Sequence, residues 1–94
     1  MKPHRLIATR RSVPLDSRDA YEALWERVRE AVTGVGGHAW RFRSPARAEL
    51  YLEFIESREL DAVLAAESVA SARQALDDAF GPAIPEEWEE VISS

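Results

Sequence analysis

The chain has 94 residues, no cysteine and a formal net charge of −5. This length supports one hydrophobic core, so we expect a single domain over residues 1–94. The missing cysteines exclude disulfides and thiolate metal sites. The acidic total disfavours nucleic acid, whose binding relies on clustered cations that neutralise phosphates. No apolar run is long enough for a signal peptide or a bilayer span, so we expect a cytoplasmic protein that does not contact membranes.

The two halves of the sequence carry opposite charge. Residues 1–47 contain ten Lys/Arg and five Asp/Glu, a balance of +5, whereas residues 48–94 contain two and twelve, a balance of −10. We expect these opposed charges to pair with one another within the fold or across a dimer.

The first 37 residues predict a strand followed by a helix. Residues 5–13 have the composition of a strand, which Pro14 closes. A helix capped by Asp16 or Ser17 follows and ends at the glycines of segment 34–37. Its apolar stripe has the spacing of an amphipathic helix and consists of Tyr21, Leu24, Trp25, Val28 and Val32.

Segment 38–57 predicts a two-stranded hairpin that turns at Ser44-Pro45. Its side chains alternate with a period of two, as in an antiparallel sheet with one buried face. The apolar face comprises His38, Trp40, Phe42, Leu50, Leu52 and Phe54, and we expect helices to cover it. The other face comprises Ala39, Arg41, Arg43, Glu49, Tyr51, Glu53 and Ile55. The predicted register places Arg43 opposite Glu49 and Trp40 opposite Leu52, with a five-residue loop.

The last third of the chain predicts helix and then strand. Residues 58–80 are helical, either as one helix or as two with the second starting near Ser68, and Gly81-Pro82 ends them. Segment 86–92 is compatible with helix or strand, and topology favours the strand. The resulting β-α-β-β-α-β order predicts an α+β, ferredoxin-like domain with a four-stranded antiparallel sheet in the order 4-1-3-2 and helices on one face. In that order arginine-bearing strands alternate with glutamate-bearing ones, which favours cross-strand pairs.

The stretches YLEFIES, QALDDAFG and EEWEEV, in this organisation, resemble the dimeric α/β-barrel superfamily. The resemblance implies a homodimer in which two sheets pair face to face. It also implies a choice of functions, from cofactor-independent monooxygenases and haem-degrading enzymes to small-molecule-binding regulators. We expect the dimer interface to include Tyr51, Ile55, Trp88 and Val91.

One polar face carries the candidate ligand site. Arg41 and Arg43 could stabilise an anion, Tyr51 could donate a hydrogen bond and Glu53 could act as a base. The alternative is a purely structural ladder of charges, since ion pairs also perturb titration without function. His38 lies at the mouth of the same hairpin and is a further candidate, although a structural histidine is the commoner case.

The remaining motifs indicate neither metal nor cofactor. The two histidines are 34 positions apart, and the glycines of segment 34–37 follow a helix instead of preceding one. We therefore expect no metal site and no cofactor, and no catalytic residue can be assigned. The first functional hypothesis is a homodimeric small-ligand-binding or structural module. The alternative is a cofactor-independent monooxygenase-like enzyme acting on a small aromatic or polyketide-like substrate.

Overall fold

A computed structural model describes residues 2–92, and its elements follow the predicted β-α-β-β-α-β order. A single 3₁₀ turn, Leu15–Ser17, precedes the first helix. The elements are β1 (Arg5–Ser12), α1 (Arg18–Gly34), β2 (His38–Arg43), β3 (Leu50–Ser57), α2 (Leu60–Ala65), α3 (Glu67–Phe80) and β4 (Glu86–Glu89). None of these helices is long and apolar enough to cross a membrane.

The four strands form one antiparallel sheet in the order β2-β3-β1-β4, which confirms the predicted topology. The helices lie on one face of this sheet, so the domain has two layers. Its smallest dimension, 18 Å, is that of one sheet and one helical layer. The other face of the sheet is therefore left without a covering layer in the single chain.

The two regions that the sequence left open are now assigned. Residues 58–80 form two helices, because the backbone at Ala66 is extended (ψ 132°) and interrupts the hydrogen-bond ladder. The second helix, α3, starts at Glu67 and ends at Phe80, and the next residue, Gly81, has a φ of 91° that favours glycine. Segment 86–92 contains a strand, as topology indicated, but this strand ends at Glu89.

The hairpin register differs from the prediction by two residues. Arg43 pairs with Tyr51 instead of Glu49, and Trp40 pairs with Phe54 instead of Leu52. The loop is longer because it contains its own turns: the Ser44 hydroxyl accepts from the Arg47 amide at 3.1 Å, and the Leu50 amide donates to the Arg47 carbonyl at 3.0 Å. A shift of two residues keeps every side chain on its face, so the alternation of the sequence could not detect it.

The assignment of the two sheet faces was wrong. The helices cover the face that carries Tyr51, Glu53 and Ile55, each about 5 % exposed, and not the face that carries Trp40 and Phe42. Tyr51 and Ile55 are thus core residues of the single chain and are not available for the predicted dimer interface.

The helical stripe explains which face was chosen. Four residues of α1 are buried against the sheet, as the spacing predicted: Tyr21, Trp25, Val28 and Val32. Tyr21 is among them, and its hydroxyl needs a hydrogen-bond partner once it is buried. The face with Glu53 supplies that partner, whereas the more apolar face has no carboxylate at the corresponding central position. The packing of α1 therefore needs a hydrogen-bond acceptor for Tyr21 as well as an apolar surface.

Candidate functional site

A buried polar centre lies between the sheet and the helices. Glu53 accepts a hydrogen bond from the Tyr21 hydroxyl at 2.6 Å, and its two oxygens accept from Nε of Arg11 at 3.1 and 3.0 Å. The same guanidinium reaches α3, where Nη1 and Nη2 both lie 3.3 Å from Oδ1 of Asp77. Nη1 also lies 3.3 Å from the carbonyl oxygen of Gly81. Arg11 thereby joins β1, β3 and α3.

Burial and charge together set the protonation of this centre. Burial raises the pKa of Tyr21 well above its usual value, and the negative charge of Glu53 beside it adds to the effect. Tyr21 is therefore a neutral hydrogen-bond donor throughout the ordinary pH range. Because Arg11 and Glu53 are each about 6 % exposed, removing Arg11 would leave Glu53 as a buried charge without its cation, whereas removing Glu53 would leave Arg11 with its weaker contact to Asp77.

A small cavity adjoins the polar centre. The cavity has a volume of about 20 Å³, which is enough for about one water molecule. Its walls combine apolar side chains from α1 and the sheet with four charged groups, those of Arg11, Glu53, Arg73 and Asp77. Burial lowers the pKa of Arg73. In this conformation the cavity is too small for an organic ligand.

A second polar feature lies at the edge strand β2. The Arg41 guanidinium is within 5.2, 5.5 and 5.6 Å of the ring centres of Tyr21, Trp25 and Tyr51, which is cation–π distance. Its Nη2 atom pairs with Glu22 of α1, whereas Nη1 is buried and has no hydrogen-bond partner among the described residues. Burial opposes ionisation of Arg41, but its contacts with Glu22 and Tyr21 prevail and raise its pKa.

Arg41 lines a surface groove, which we call the arginine groove. It measures about 310 Å³ and lies between the start of α1, the end of β2 and the start of β3. The residues that line it are Arg18, Glu22, Arg41, Phe42, Arg43 and Tyr51. Within residues 2–92, neither Arg18 nor Arg43 has a carboxylate within salt-bridge distance. The groove thus has an excess of positive charge on an acidic protein.

The predicted site residues fall into three places. Arg41, Arg43 and Tyr51 meet in the arginine groove. Glu53 lies opposite Arg41 across the β2–β3 pair, but its carboxylate belongs to the buried polar centre. His38 is exposed, pairs with Glu56 across the strands and faces the uncovered side of the sheet, because it alternates with Arg41. His38 is therefore separated from the other four.

Sequence reasoning missed three residues of the polar centre: Arg11, Tyr21 and Asp77. Tyr21 was interpreted only as a core residue, and Arg11 only as a charge on the first strand. A signal was present, since Arg11 has the same parity as Ile7 and Thr9, so it had to share their buried face. Asp77 gave no such signal, because it depends on how α3 crosses the sheet.

The uncovered face of the sheet carries a continuous apolar surface, here called the open face. Trp40 stacks on Phe54 with ring centres 5.2 Å apart, and Phe42 meets the same ring edge-on at 5.9 Å. The strand pairing shows that the same face carries further apolar side chains on β1, β3 and β4. The apolar members of the open face are Leu6, Ala8, Trp40, Phe42, Leu50, Leu52, Phe54 and Trp88. Trp88 is on this face, where it pairs with Leu6 and is 58 % exposed. Val91 lies beyond β4 and is also exposed.

Comparison with known proteins shows which fold this is. No protein-family model matches the sequence, and no curated protein matches it. Solved structures do match in shape. A conserved protein from Methanosarcina mazei Go1 superposes with a TM-score of 0.80 at 9 % identity, over 96 % of this chain and 95 % of its own. A candidate antibiotic biosynthesis monooxygenase from Nitrosomonas europaea gives 0.78 at 11 % identity, over 97 % and 93 %.

SnoaB, a cofactor-independent oxygenase from Streptomyces nogalater, gives a TM-score of 0.71 at 16 % identity, over 97 % of this chain and 94 % of its own. The chain has the ferredoxin-like fold of the antibiotic biosynthesis monooxygenase-type proteins. This confirms the resemblance seen in the sequence at the level of fold. Other proteins that share this monooxygenase-type fold, including the one from Methanosarcina mazei, carry no stated activity.

No group of three or more metal-ligating side chains lies close together within residues 2–92. The described residues do offer charged, hydrogen-bonding and aromatic side chains. These are concentrated in the buried polar centre, the arginine groove and the open face.

The polar centre can be tested by unfolding. We expect Glu53→Ala to lower the free energy of unfolding by about 3 kcal/mol, because the buried Tyr21 hydroxyl would lose its acceptor and Arg11 would keep only its contacts to α3. Glu22→Ala, which removes the half-exposed partner of Arg41, should lower it by less than about 1 kcal/mol. Urea unfolding followed by tryptophan fluorescence measures both values.

Replacing both charges provides the control. The double variant Arg11→Met, Glu53→Leu should be destabilised by less than the sum of Arg11→Met and Glu53→Leu measured separately. The double variant removes both members of the buried pair, whereas Arg11→Met alone leaves Glu53 without its cation. Strict additivity, or a Glu53→Ala effect as small as that of Glu22→Ala, would contradict the contacts described here.

Proposed function

We propose that this chain acts as a homodimeric small-ligand-binding module. The observation that carries the proposal is the open face, an aromatic surface that no layer of the single chain covers. Soluble monomers rarely expose a continuous apolar patch of several large side chains. A second copy of the chain is the occupant we propose, and the two sheets would pack face to face.

The composition of the open face supports a second copy as its partner. Its apolar centre is edged by Arg10, which pairs with Leu52, and by Glu56 and Glu86 on neighbouring rows. A face with both charge signs at its rim can be complementary to itself, as a two-fold interface requires. Fully burying one large apolar side chain contributes about 1.5–3 kcal/mol, so the cluster offers enough free energy for association.

The arginine groove supports the ligand-binding part of the proposal. Its volume of about 310 Å³ is at the lower end of the range of small-molecule pockets, and it joins charged donors to two aromatic side chains. Because the arginines project from β2 toward α1, the groove opens on the helical side of the edge strand. Face-to-face packing of two sheets would therefore leave its arginines accessible, although it would cover Phe42, which also belongs to the open face.

Charge placed on the open face tests the dimer. We expect wild-type protein to sediment as a dimer at micromolar concentration and Leu52→Glu to sediment as a monomer, because two carboxylates would enter the apolar interface. Trp88→Ala should shift the equilibrium toward monomer without abolishing the dimer. Analytical ultracentrifugation measures all three.

Ile84→Glu is the matched control, because Ile84 is 92 % exposed in the loop before β4. It should sediment as wild type does. A monomeric wild-type protein, or a Leu52→Glu variant that keeps its native circular dichroism and remains dimeric, would refute the proposed interface.

One observation favours an enzyme as the second candidate. The buried Tyr21–Glu53 hydrogen bond beside an internal cavity places an acid–base pair in a site sheltered from water. The fold is shared with a cofactor-independent oxygenase. Against this, Glu53 is already saturated by Arg11 and Tyr21, and a cavity of about 20 Å³ must enlarge before an aromatic substrate can enter.

Oxygen uptake distinguishes the second candidate from the first. If the polar centre is catalytic, wild-type protein should consume oxygen in the presence of polycyclic phenols, and Glu53→Gln should reduce the rate by about 10²-fold or more. Arg27→Gln, at an exposed position of α1, should have no effect. Uptake equal to that in buffer alone would remove the enzyme hypothesis.

A further inference from the structure

We infer that the arginine groove binds a small organic anion, a molecule in which a carboxylate or phosphate group is attached to an aromatic or apolar body. The inference rests on the ligand-binding part of the proposed function and adds the chemical class of the ligand. It depends on the charge balance of the groove, on the way Arg41 is fixed, and on the aromatic side chains beside it.

Charge balance comes first. Three guanidinium groups line the groove, those of Arg18, Arg41 and Arg43, and only one carboxylate, that of Glu22, accompanies them. That carboxylate pairs with Arg41, which leaves the other two without an ion-pair partner in the part of the chain that the structure describes. A local excess of two positive charges persists on a protein whose net charge is −5.

Arg41 is a fixed anion receptor with unused donor capacity. Its guanidinium lies among three aromatic rings, so little side-chain freedom remains to be lost when an anion binds. Only Nη2 has a carboxylate partner, and Nη1 is a buried donor with no acceptor. An unsatisfied buried donor is unfavourable, and an incoming oxygen can satisfy it after a small adjustment of the side chain.

The chain itself shows which chemical group fits. The Glu22 carboxylate pairs with Arg41 and is about half exposed. A ligand anion would therefore either displace this carboxylate from the guanidinium or bind beside it. The planar guanidinium fork matches the two oxygens of a carboxylate or phosphate. Removing the charge of Glu22 should therefore strengthen the binding of an external anion.

The walls of the groove favour an organic anion over an inorganic one. Tyr51 contributes aromatic surface next to the arginines, and Phe42, which also belongs to the open face, lines the margin of the groove. Such surface has no use for phosphate or sulfate alone but can pack against a ring or an alkyl chain. A nucleic acid is a poor candidate, because the protein as a whole is acidic, with a net charge of −5.

Calorimetric titration at constant ionic strength tests the inference with four probes: benzoate, phenyl phosphate, inorganic phosphate and the neutral benzamide. We expect benzoate or phenyl phosphate to bind more tightly than benzamide and inorganic phosphate. Arg43→Gln and Arg18→Gln should each weaken that binding by about two- to fivefold, and Glu22→Gln should strengthen it by a similar factor, since partly exposed ion pairs contribute about 0.2–1 kcal/mol.

Arg27→Gln is the matched control, because it changes the net charge equally at an exposed position of α1 that does not line the groove. It should leave binding unchanged. Tighter binding of benzoate than of phenyl phosphate would identify a carboxylate ligand, and the reverse order would identify a phosphate ester.

The contrary outcomes separate this inference from the proposed function. If benzamide binds as tightly as benzoate, or Arg27→Gln weakens binding as much as Arg43→Gln, the anion inference is overturned while ligand binding stands. If inorganic phosphate binds as tightly as phenyl phosphate, the organic body plays no role and the inference fails in that part. If none of the four probes binds, both the inference and the ligand-binding part of the proposed function are overturned.

Discussion

The contact on which this structure depends is the buried ion pair between Arg11 and Glu53, closed by the hydroxyl of Tyr21. Two charges beneath a helical layer are tolerated only when their hydrogen bonds are complete, and this requirement fixes the relative positions of β1, β3 and α1. Asp77 extends the constraint to α3. The apolar contacts stabilise the layer, and the buried Tyr21 hydroxyl finds its acceptor only when α1 packs on the face that carries Glu53.

From that choice the two remaining surfaces follow. Because the helices take the face with the polar centre, the more apolar face is left open, and its aromatic cluster becomes a surface for association. Because Arg41 and Arg43 share the helical side but lie on the edge strand β2, they reach the end of α1 and line a groove at its margin. Packing of the helices on the polar centre therefore leaves the open face for a partner and the arginine groove, on the helical side of the sheet, for a ligand.

Much of the fold could be predicted from the sequence, because it depends on local patterns. Strand alternation, the stripe of α1 and the turn residues predicted the order of elements and the sheet topology, and even the short strand β4 was recovered. The register of the hairpin was not, since turns within segment 44–50 lengthen the loop and a shift of two leaves the alternation intact. Only contacts between distant residues determine it.

The faces were assigned wrongly for a related reason. The rule that helices cover the more apolar face assumes that only one face is buried, whereas here both carry large apolar side chains. Arg41, Arg43 and Tyr51 could be grouped from the sequence because they alternate on adjacent strands, and the structure places them along one groove. The partners of Glu53 were missed because Arg11 and Tyr21 belong to elements 42 and 32 residues away along the chain. Pairing over such distances leaves no local signature.

The most direct test of the face assignment is the ionisation of Tyr21, one of two tyrosines in the chain. The difference between the tyrosinate absorbance of wild type and of Tyr21→Phe, followed as pH rises, isolates this hydroxyl. Because its pKa is raised in the folded chain, Tyr21 should stay protonated through about pH 10, where an unfolded tyrosine ionises, and should ionise only as the protein unfolds at higher pH. Ionisation of Tyr21 near pH 10 in the folded protein would place its hydroxyl in solvent and contradict the account.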